Sequence, residues 1–178
     1  MPGNPTTCVI CHNEVSLDPD RWVITPDVCE ECLHHVAAQS GVPLRDFLDR
    51  LGVPVLAVND DAQVSLANKS AIELLGKDPT QIEARYAGDV FECAYARLPE
   101  GCGKTVHCSG CAIRRAVMET FMTGRSLHQV PAYLNRDATT QFLQLGLLIS
   151  TQKLWGMVLL RIDHIGPAQG PSGHGNLH

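Results

Sequence analysis

The chain has 178 residues, of which 44% are hydrophobic, with a formal net charge of -5 and eight cysteines. That length suits one domain of ordinary size with a small appendage, and the apolar content is enough for a packed core, which excludes a disordered chain. The acidic balance argues against nucleic acid as the main partner.

The opening stretch MPGNPTTCVICHNEV has neither a basic nor an apolar leader segment, so no signal peptide is expected. No apolar run approaches the roughly 18 residues needed to cross a membrane. A cytoplasmic location follows as the default expectation. In a reducing compartment, cysteines at this density favour metal or redox chemistry over structural disulfides.

Cys8, Cys11, Cys29 and Cys32 form C-x2-C-x17-C-x2-C, a spacing that supplies two thiolate pairs to one tetrahedral zinc ion. A segment this short buries too little apolar surface to fold alone, so a metal is physically motivated as its core. Alternatives are His34 or His35 replacing a cysteine, free thiols, and haem attachment at Cys8-Val-Ile-Cys11-His12, which would require export. His12, His34 and His35 otherwise read as solvent-facing. Good helix formers run from Glu30 to Gln39, and Gly41 is a natural stop. Residues 1–41 resemble a zinc ribbon or treble-clef knuckle, a likeness specific for metal but not for a partner.

Residues 42–52 read as a linking amphipathic helix. Pro43 suits its first position, and Leu44, Phe47, Leu48 and Leu51 recur on one face before Gly52. The stripe is expected either to cover the following domain or to pair with a second copy of the chain, which would give a homodimer through 43–51.

Val53 to Asn59 reads as a buried strand, Asn59-Asp60-Asp61 as a turn, and Gln63 to Ala67 as a second strand. Asn68 should cap a helix over Lys69 to Leu75, closed by Gly76, with another helical turn beginning at Asp78-Pro79. Cys111 to Thr123 is predicted helical, with Ile113, Val117 and Phe121 on one face and Gly124 as stop. Strands are predicted over Leu127 to Leu134, Thr140 to Ser150 and Leu154 to Asp163. The turns between them are placed at Asn135-Arg136-Asp137 and Thr151-Gln152-Lys153.

The stretch VPVLAVNDDAQVSLANKSAIELLGKDPTQIEARYAGDVF, with the later helix and strands, resembles a PAS domain over about Leu44 to Ile165. The resemblance implies an α+β fold: a five-stranded antiparallel sheet with helices on one face, serving signal sensing or protein interaction. It names no ligand. The domain is assigned to 53–165. The tail 166–178 is Gly/Pro-rich and is expected to be disordered, and its His174 and His178 are too sparse to argue for metal.

Inside the PAS-like frame, residues 93–111 carry Cys93, Cys102, Cys108 and Cys111, separated by eight, five and two residues. Gly101, Gly103 and Gly110 permit the tight backbone that folds thiolates together. Cys108-Ser-Gly-Cys111 is expected at a helix N-terminus, where unpaired amides stabilise a thiolate, and Lys104, Arg114 and Arg115 add positive charge. Four readings stay open: a four-cysteine site for zinc or an iron–sulfur cluster; a redox dithiol with Cys108 as nucleophile and Cys111 as resolving thiol; His107 displacing one cysteine; and four reduced thiols packed as small apolar residues. Gly101-Cys102-Gly103 and Cys108-Ser-Gly-Cys111, with Cys93 upstream, resemble the cysteine-rich segments of bacterial PAS sensor proteins.

Other motifs fail on their own terms. Gly103-Lys104-Thr105 resembles the end of a P-loop, but Leu98 stands where the first glycine is required. The flavin-binding motif of light-sensing PAS domains is absent around Cys93. The helix over 112–123 has no histidine for haem. These readings converge on a non-enzymatic cytoplasmic sensor or adaptor that passes its signal to a separate partner protein. The alternatives are a thiol-disulfide oxidoreductase using Cys108 and Cys111, and a nucleic-acid-associated zinc-ribbon regulator.

Overall fold

The computed structural model describes residues 6–15, 24–25, 27–38, 42–136 and 144–168. Two short strands, β1 (Thr6–Thr7) and β2 (Glu14–Val15), pair antiparallel and are followed by α1 (Glu30–Ala38) and α2 (Val42–Arg50). Then come β3 (Val55–Val58), β4 (Val64–Ala67), α3 (Lys69–Leu75), α4 (Pro79–Ile82) and α5 (Ala87–Val90). Two 3-10 turns, Ala94–Arg97 and Val106–Gly110, lead to α6 (Ala112–Thr123), β5 (Leu127–Asn135), β6 (Gln144–Leu154) and β7 (Met157–Pro167). Strands β3 to β7 form one antiparallel sheet in the order β4-β3-β7-β6-β5. This is the five-stranded antiparallel sheet that the sequence reading predicts.

Side-chain alternation divides the core into two layers, because successive residues of a strand point to opposite faces. Leu56 and Val58 of β3, with Leu147 and Ile149 of β6 and Val158, Leu160 and Ile162 of β7, meet Ala71, Ile82, Val90, Ile113 and Val117 from α3 to α6. Helices α3 to α6 thus share one face of the sheet. Val55 and Ala57 of β3, Leu66, Leu154 and Leu159 point the other way. There they meet Val15, Ile24, Val28 and Leu33 of the N-terminal segment, and Leu44, Phe47 and Leu48 of α2.

The N-terminal cysteine segment is therefore the cover of the second sheet face. The α2 stripe is used inside the chain as well: Leu48 is fully buried, and Leu44 and Phe47 nearly so. A homodimer through 43–51 would need that apolar face to be open, so this ground for expecting one is withdrawn. Burying each such side chain contributes about 1.5–3 kcal/mol, which fixes α2 against the sheet.

Asn68 holds the junction. Its Oδ1 accepts the amides of Ala71 at 3.0 Å and Val55 at 2.9 Å, and its Nδ2 donates to the carbonyls of Leu48 and Val53, each at 2.8 Å. The residue that caps α3 therefore also ties α2 to β3, and all of its polar atoms are satisfied in a buried place. Gly76, with φ of 61°, closes α3 as expected.

Strand and turn boundaries near the C-terminus differ from the sequence reading, and the last strand begins at Met157 rather than Leu154. Thr151, Gln152 and Lys153 are not a turn but the continuation of β6, and the chain reverses at Trp155-Gly156, between the paired residues Leu154 and Met157. Tertiary partners take up their polar groups: Thr120 for Thr151, Thr25 and Ile24 for Gln152, and the Phe121 carbonyl for Lys153. At the other end, β7 runs two residues past Ile165, and the Ala168 amide bonds the Gln144 carbonyl at 2.8 Å. The rest of the expected tail, with His174 and His178, lies outside the described residues, as do Gly41 and Asp137. Among the described residues no helix is long and apolar enough to cross a membrane.

Candidate functional site

The first cysteine set is built by a tight knuckle. The β1–β2 pair returns the chain on itself, the Cys8 amide donates to Asn13 O at 2.8 Å, and the His12 amide donates to Cys8 O at 2.9 Å. His12 takes a left-handed φ of 62° to complete the turn. The Val9 amide reaches Asp27 O at 2.9 Å, bringing the second pair alongside, where Cys32 sits in the first turn of α1.

The sulfurs of Cys8, Cys11, Cys29 and Cys32 all lie within 4.8 Å of one another, and Cys11 and Cys29 are 3.6 Å apart. Zinc–thiolate bonds of about 2.3 Å in a tetrahedron set sulfurs about 3.8 Å apart, so the donor set fits one such ion. Among the described residues no histidine joins this group, which leaves His12, His34 and His35 outside the ligand set.

The electrostatics agree with a need for a cation. Burial raises the Cys8 thiol, but the amides of Cys11, Cys29 and Ile10 outweigh it and hold the group at about 6. Burial and then the neighbouring Cys29, Cys11 and Cys8 push Cys32 well up. Crowded thiolates oppose each other's ionisation, and a divalent metal removes the conflict.

The second set is arranged differently. Cys93, Cys102, Cys108 and Cys111 line one cavity of about 270 Å³, bounded by α5, the two 3-10 turns, the start of α6 and the end of β5. All four are partly buried. Their sulfurs are not drawn together as the first four are: among the described residues, the four N-terminal cysteines are the group that meets within 4.8 Å.

Local backbone and small residues shape this cavity. The Cys93 amide donates to Gly88 O at 2.7 Å. A Cβ at Gly88 would come within 2.6 Å of the Cys102 sulfur, so the glycine makes room for that thiol. Gly103, with φ of 87°, lies under the Arg114 guanidinium, where a Cβ would meet Nη1 at 2.5 Å. Arg114 is held there by an ion pair with Asp61 and a 3.1 Å bond to the Asp61 carbonyl.

Cys108 differs from the place that sequence assigned to it. Cys111 is the residue that caps α6, while Cys108 lies in the preceding 3-10 turn. Its sulfur accepts the Gly103 amide at 3.2 Å and sits 3.2 Å from Thr105 Oγ1. Burial raises this thiol, but Thr105, the Gly103 amide and Arg114 together bring it below the ordinary thiol value. Its thiolate character thus comes from local donors and a guanidinium, rather than from the α6 N-terminus. Burial pushes Cys102 up to about 11 and also raises Cys93.

His107, the alternative ligand, lines the same cavity, with its ring stacked on Tyr95 at 4.0 Å between centroids. Asn135 Nδ2 donates to the Tyr95 hydroxyl at 3.1 Å, so β5 steadies that stack. Tyr95, Asn135 and Arg114 belong to the cavity wall as much as the cysteines do. The sequence carried no spacing signal for Tyr95 or Asn135, because only folding brings β5 beside the 93–111 segment.

No protein-family model and no curated protein matches the sequence. Among solved structures, the chain is similar to the LOV protein of Rhodobacter sphaeroides, with 18% identity over 75% of this chain and 66% of that one, and a TM-score of 0.45. It is also similar to the photoactive yellow protein domain of the sensor histidine kinase Ppr from Rhodospirillum centenum, with 12% identity, 72% and 96% coverage, and a TM-score of 0.39. A PAS domain from Desulfitobacterium hafniense shows 18% identity, 69% and 99% coverage, and a TM-score of 0.37.

Proposed function

We propose that this chain is a signal-sensing module in which the four-cysteine cavity ahead of α6 receives the stimulus, and that the change is passed to a separate signalling protein. One observation carries the reading: Cys93, Cys102, Cys108 and Cys111 line a single cavity whose wall includes Cys111, the capping residue of α6. A change of ligation or charge there acts on the first turn of that helix.

A route onward is built into the fold. Thr120 near the end of α6 shares a 2.6 Å hydroxyl bond with Thr151 of β6, and the next residue, Gln152, holds Thr25 on the opposite face. The first cysteine set is assigned a structural zinc ion that fixes the N-terminal cover. The α2 stripe is used internally, whereas the first knuckle leaves Val9 and Ile10 exposed. We place the partner contact there.

The test is amide hydrogen exchange across α6 and residues 24–38, in protein treated with dithionite and then with ferricyanide. Altered protection in both segments supports the reading. Identical exchange in the two states overturns it.

A second reading, thiol-disulfide exchange, is favoured by the donors that lower Cys108. The Cys108 thiolate would attack a substrate disulfide and release one thiolate. Cys111 would then displace the second, leaving a Cys108–Cys111 disulfide and a reduced substrate. Stoichiometric reduction of a model disulfide by the reduced protein, lost in Cys108→Ser and in Cys111→Ser, would select this reading.

A further inference from the structure

We propose that Cys93, Cys102, Cys108 and Cys111 hold an iron–sulfur cluster rather than a single zinc ion. The proposal rests on the reading of their cavity as the receiver of the stimulus.

The chain provides its own comparison. The N-terminal set brings four sulfurs within 4.8 Å of one another, which is the arrangement a single tetrahedral ion requires. The second set lines an open space of about 270 Å³ and, among the described residues, is not a group whose sulfurs meet as the first four do. In a cluster each cysteine is bound to an iron of a larger inorganic core, so the four sulfurs stand around that core instead of touching. The space is several times the roughly 30 Å³ share of one water, and so is far larger than one ion needs.

The cavity wall suits such a guest in three further ways. Among the described residues its lining contains no carboxylate, and its one permanently charged group is Arg114, which Asp61 pairs from outside the wall. The Gly103 amide already points at the Cys108 sulfur at 3.2 Å, the kind of N–H to sulfur bond that tunes cluster potential. Small residues open the volume: Ala62, Ala87, Gly88, Ala96, Gly103 and Gly110 all lie on the wall. At Gly88 the room is used by Cys102 itself, as a Cβ there would meet its sulfur.

The experiment is iron, acid-labile sulfide and zinc analysis of the full chain purified without oxygen, with electron paramagnetic resonance after dithionite. The expected result is iron and sulfide together with one zinc per chain. Cys102→Ala should lose iron and sulfide but keep the zinc, and Cys29→Ala should lose the zinc. Two zinc ions per chain without sulfide overturn the proposal, and so does a second set that stays metal-free after anaerobic reconstitution with iron and sulfide. The wild-type analysis decides even where a variant fails to fold.

Amide exchange at α6 separates this proposal from the sensory reading. A zinc-filled cavity that still alters α6 overturns the cluster and leaves sensing intact. A bound cluster whose oxidation leaves α6 unchanged supports the cluster and removes the sensory role.

Discussion

Gln152 and Thr25 satisfy each other across 127 positions of chain: Nε2 of the glutamine donates to Thr25 Oγ1 at 2.6 Å, and its Oε1 accepts the Thr25 amide at 3.1 Å. The same Oε1 accepts the Ile24 amide at 2.8 Å. Gln152 is fully buried, so these bonds form where water does not compete for them. They fasten the N-terminal cysteine segment to β6, four residues before Cys29. The tip of the same hairpin adds a second fastening, with Trp155 4.8 Å from the His34 ring of α1.

Gln152→Ala should therefore destabilise the zinc-loaded protein by about 2–4 kcal/mol. It leaves the amides of Ile24 and Thr25 without an acceptor, each a loss of about 1–3 kcal/mol, and partial relaxation recovers some of it. A urea titration of variant and parent reads the difference. An unchanged midpoint would show that the clasp contributes nothing.

Chelating the N-terminal metal should expose the sheet face that holds Leu66, Leu154 and Leu159, because their cover is organised around Cys8, Cys11, Cys29 and Cys32. The expected signs are binding of a hydrophobic dye and a lower unfolding midpoint for the whole chain. A freely appended module would instead unfold by itself and leave the sheet transition in place.

Gly88→Ala should displace Cys102 without removing any cysteine, since the new methyl falls 2.6 Å from its sulfur and 3.2 Å from the Ala96 Cβ. Overpacking of this kind costs about 1–3 kcal/mol. The variant is expected to keep its N-terminal zinc and to lose most of whatever the second cavity binds, which metal analysis measures directly.

In metal-free, reduced protein, Cys108 should be alkylated well before Cys102 near neutral pH. Local donors lower the first thiol, and burial raises the second to about 11. More of Cys108 is therefore thiolate, the reactive form. Mass mapping of partly alkylated protein gives the order, and raising the pH should narrow the gap.

Glu92 gives a pH signature. Lys77, 3.1 Å away, lowers its carboxyl first; burial opposes this, and Arg136 adds to the lowering. A carboxyl depressed in the folded state makes the unfolded chain bind more protons between the two values, so stability rises with pH there. The contribution is present above the unfolded value of about 4.3 and is lost as pH falls through the lower folded value. The group is more than a third exposed, so solvent screening keeps the effect below about 1 kcal/mol. Glu92→Gln should be slightly less stable than the parent at pH 7 and equal to it in strong acid, as urea midpoints at the two pH values will show.

What is local was legible along the chain. Cysteine spacing marked the four N-terminal cysteines that the fold brings together, because a C-x2-C knuckle needs only neighbouring residues to form. Asn68, Gly76 and Gly124 marked helix ends, because each cap bonds within one turn. The alternation of apolar residues foretold the five strands. Tertiary structure alone decided the rest. Thr151-Gln152-Lys153 resembled a turn because their partners, Thr120, Thr25 and Phe121, lie 31, 127 and 32 positions away. The α2 stripe fitted a dimer as well as a core until the sheet was found beneath it. For Cys93, Cys102, Cys108 and Cys111, spacing located the cluster, but only the fold showed that all four line one cavity. Composition and spacing record which groups are close along the chain, and the chemistry of this site depends on which groups are close in space.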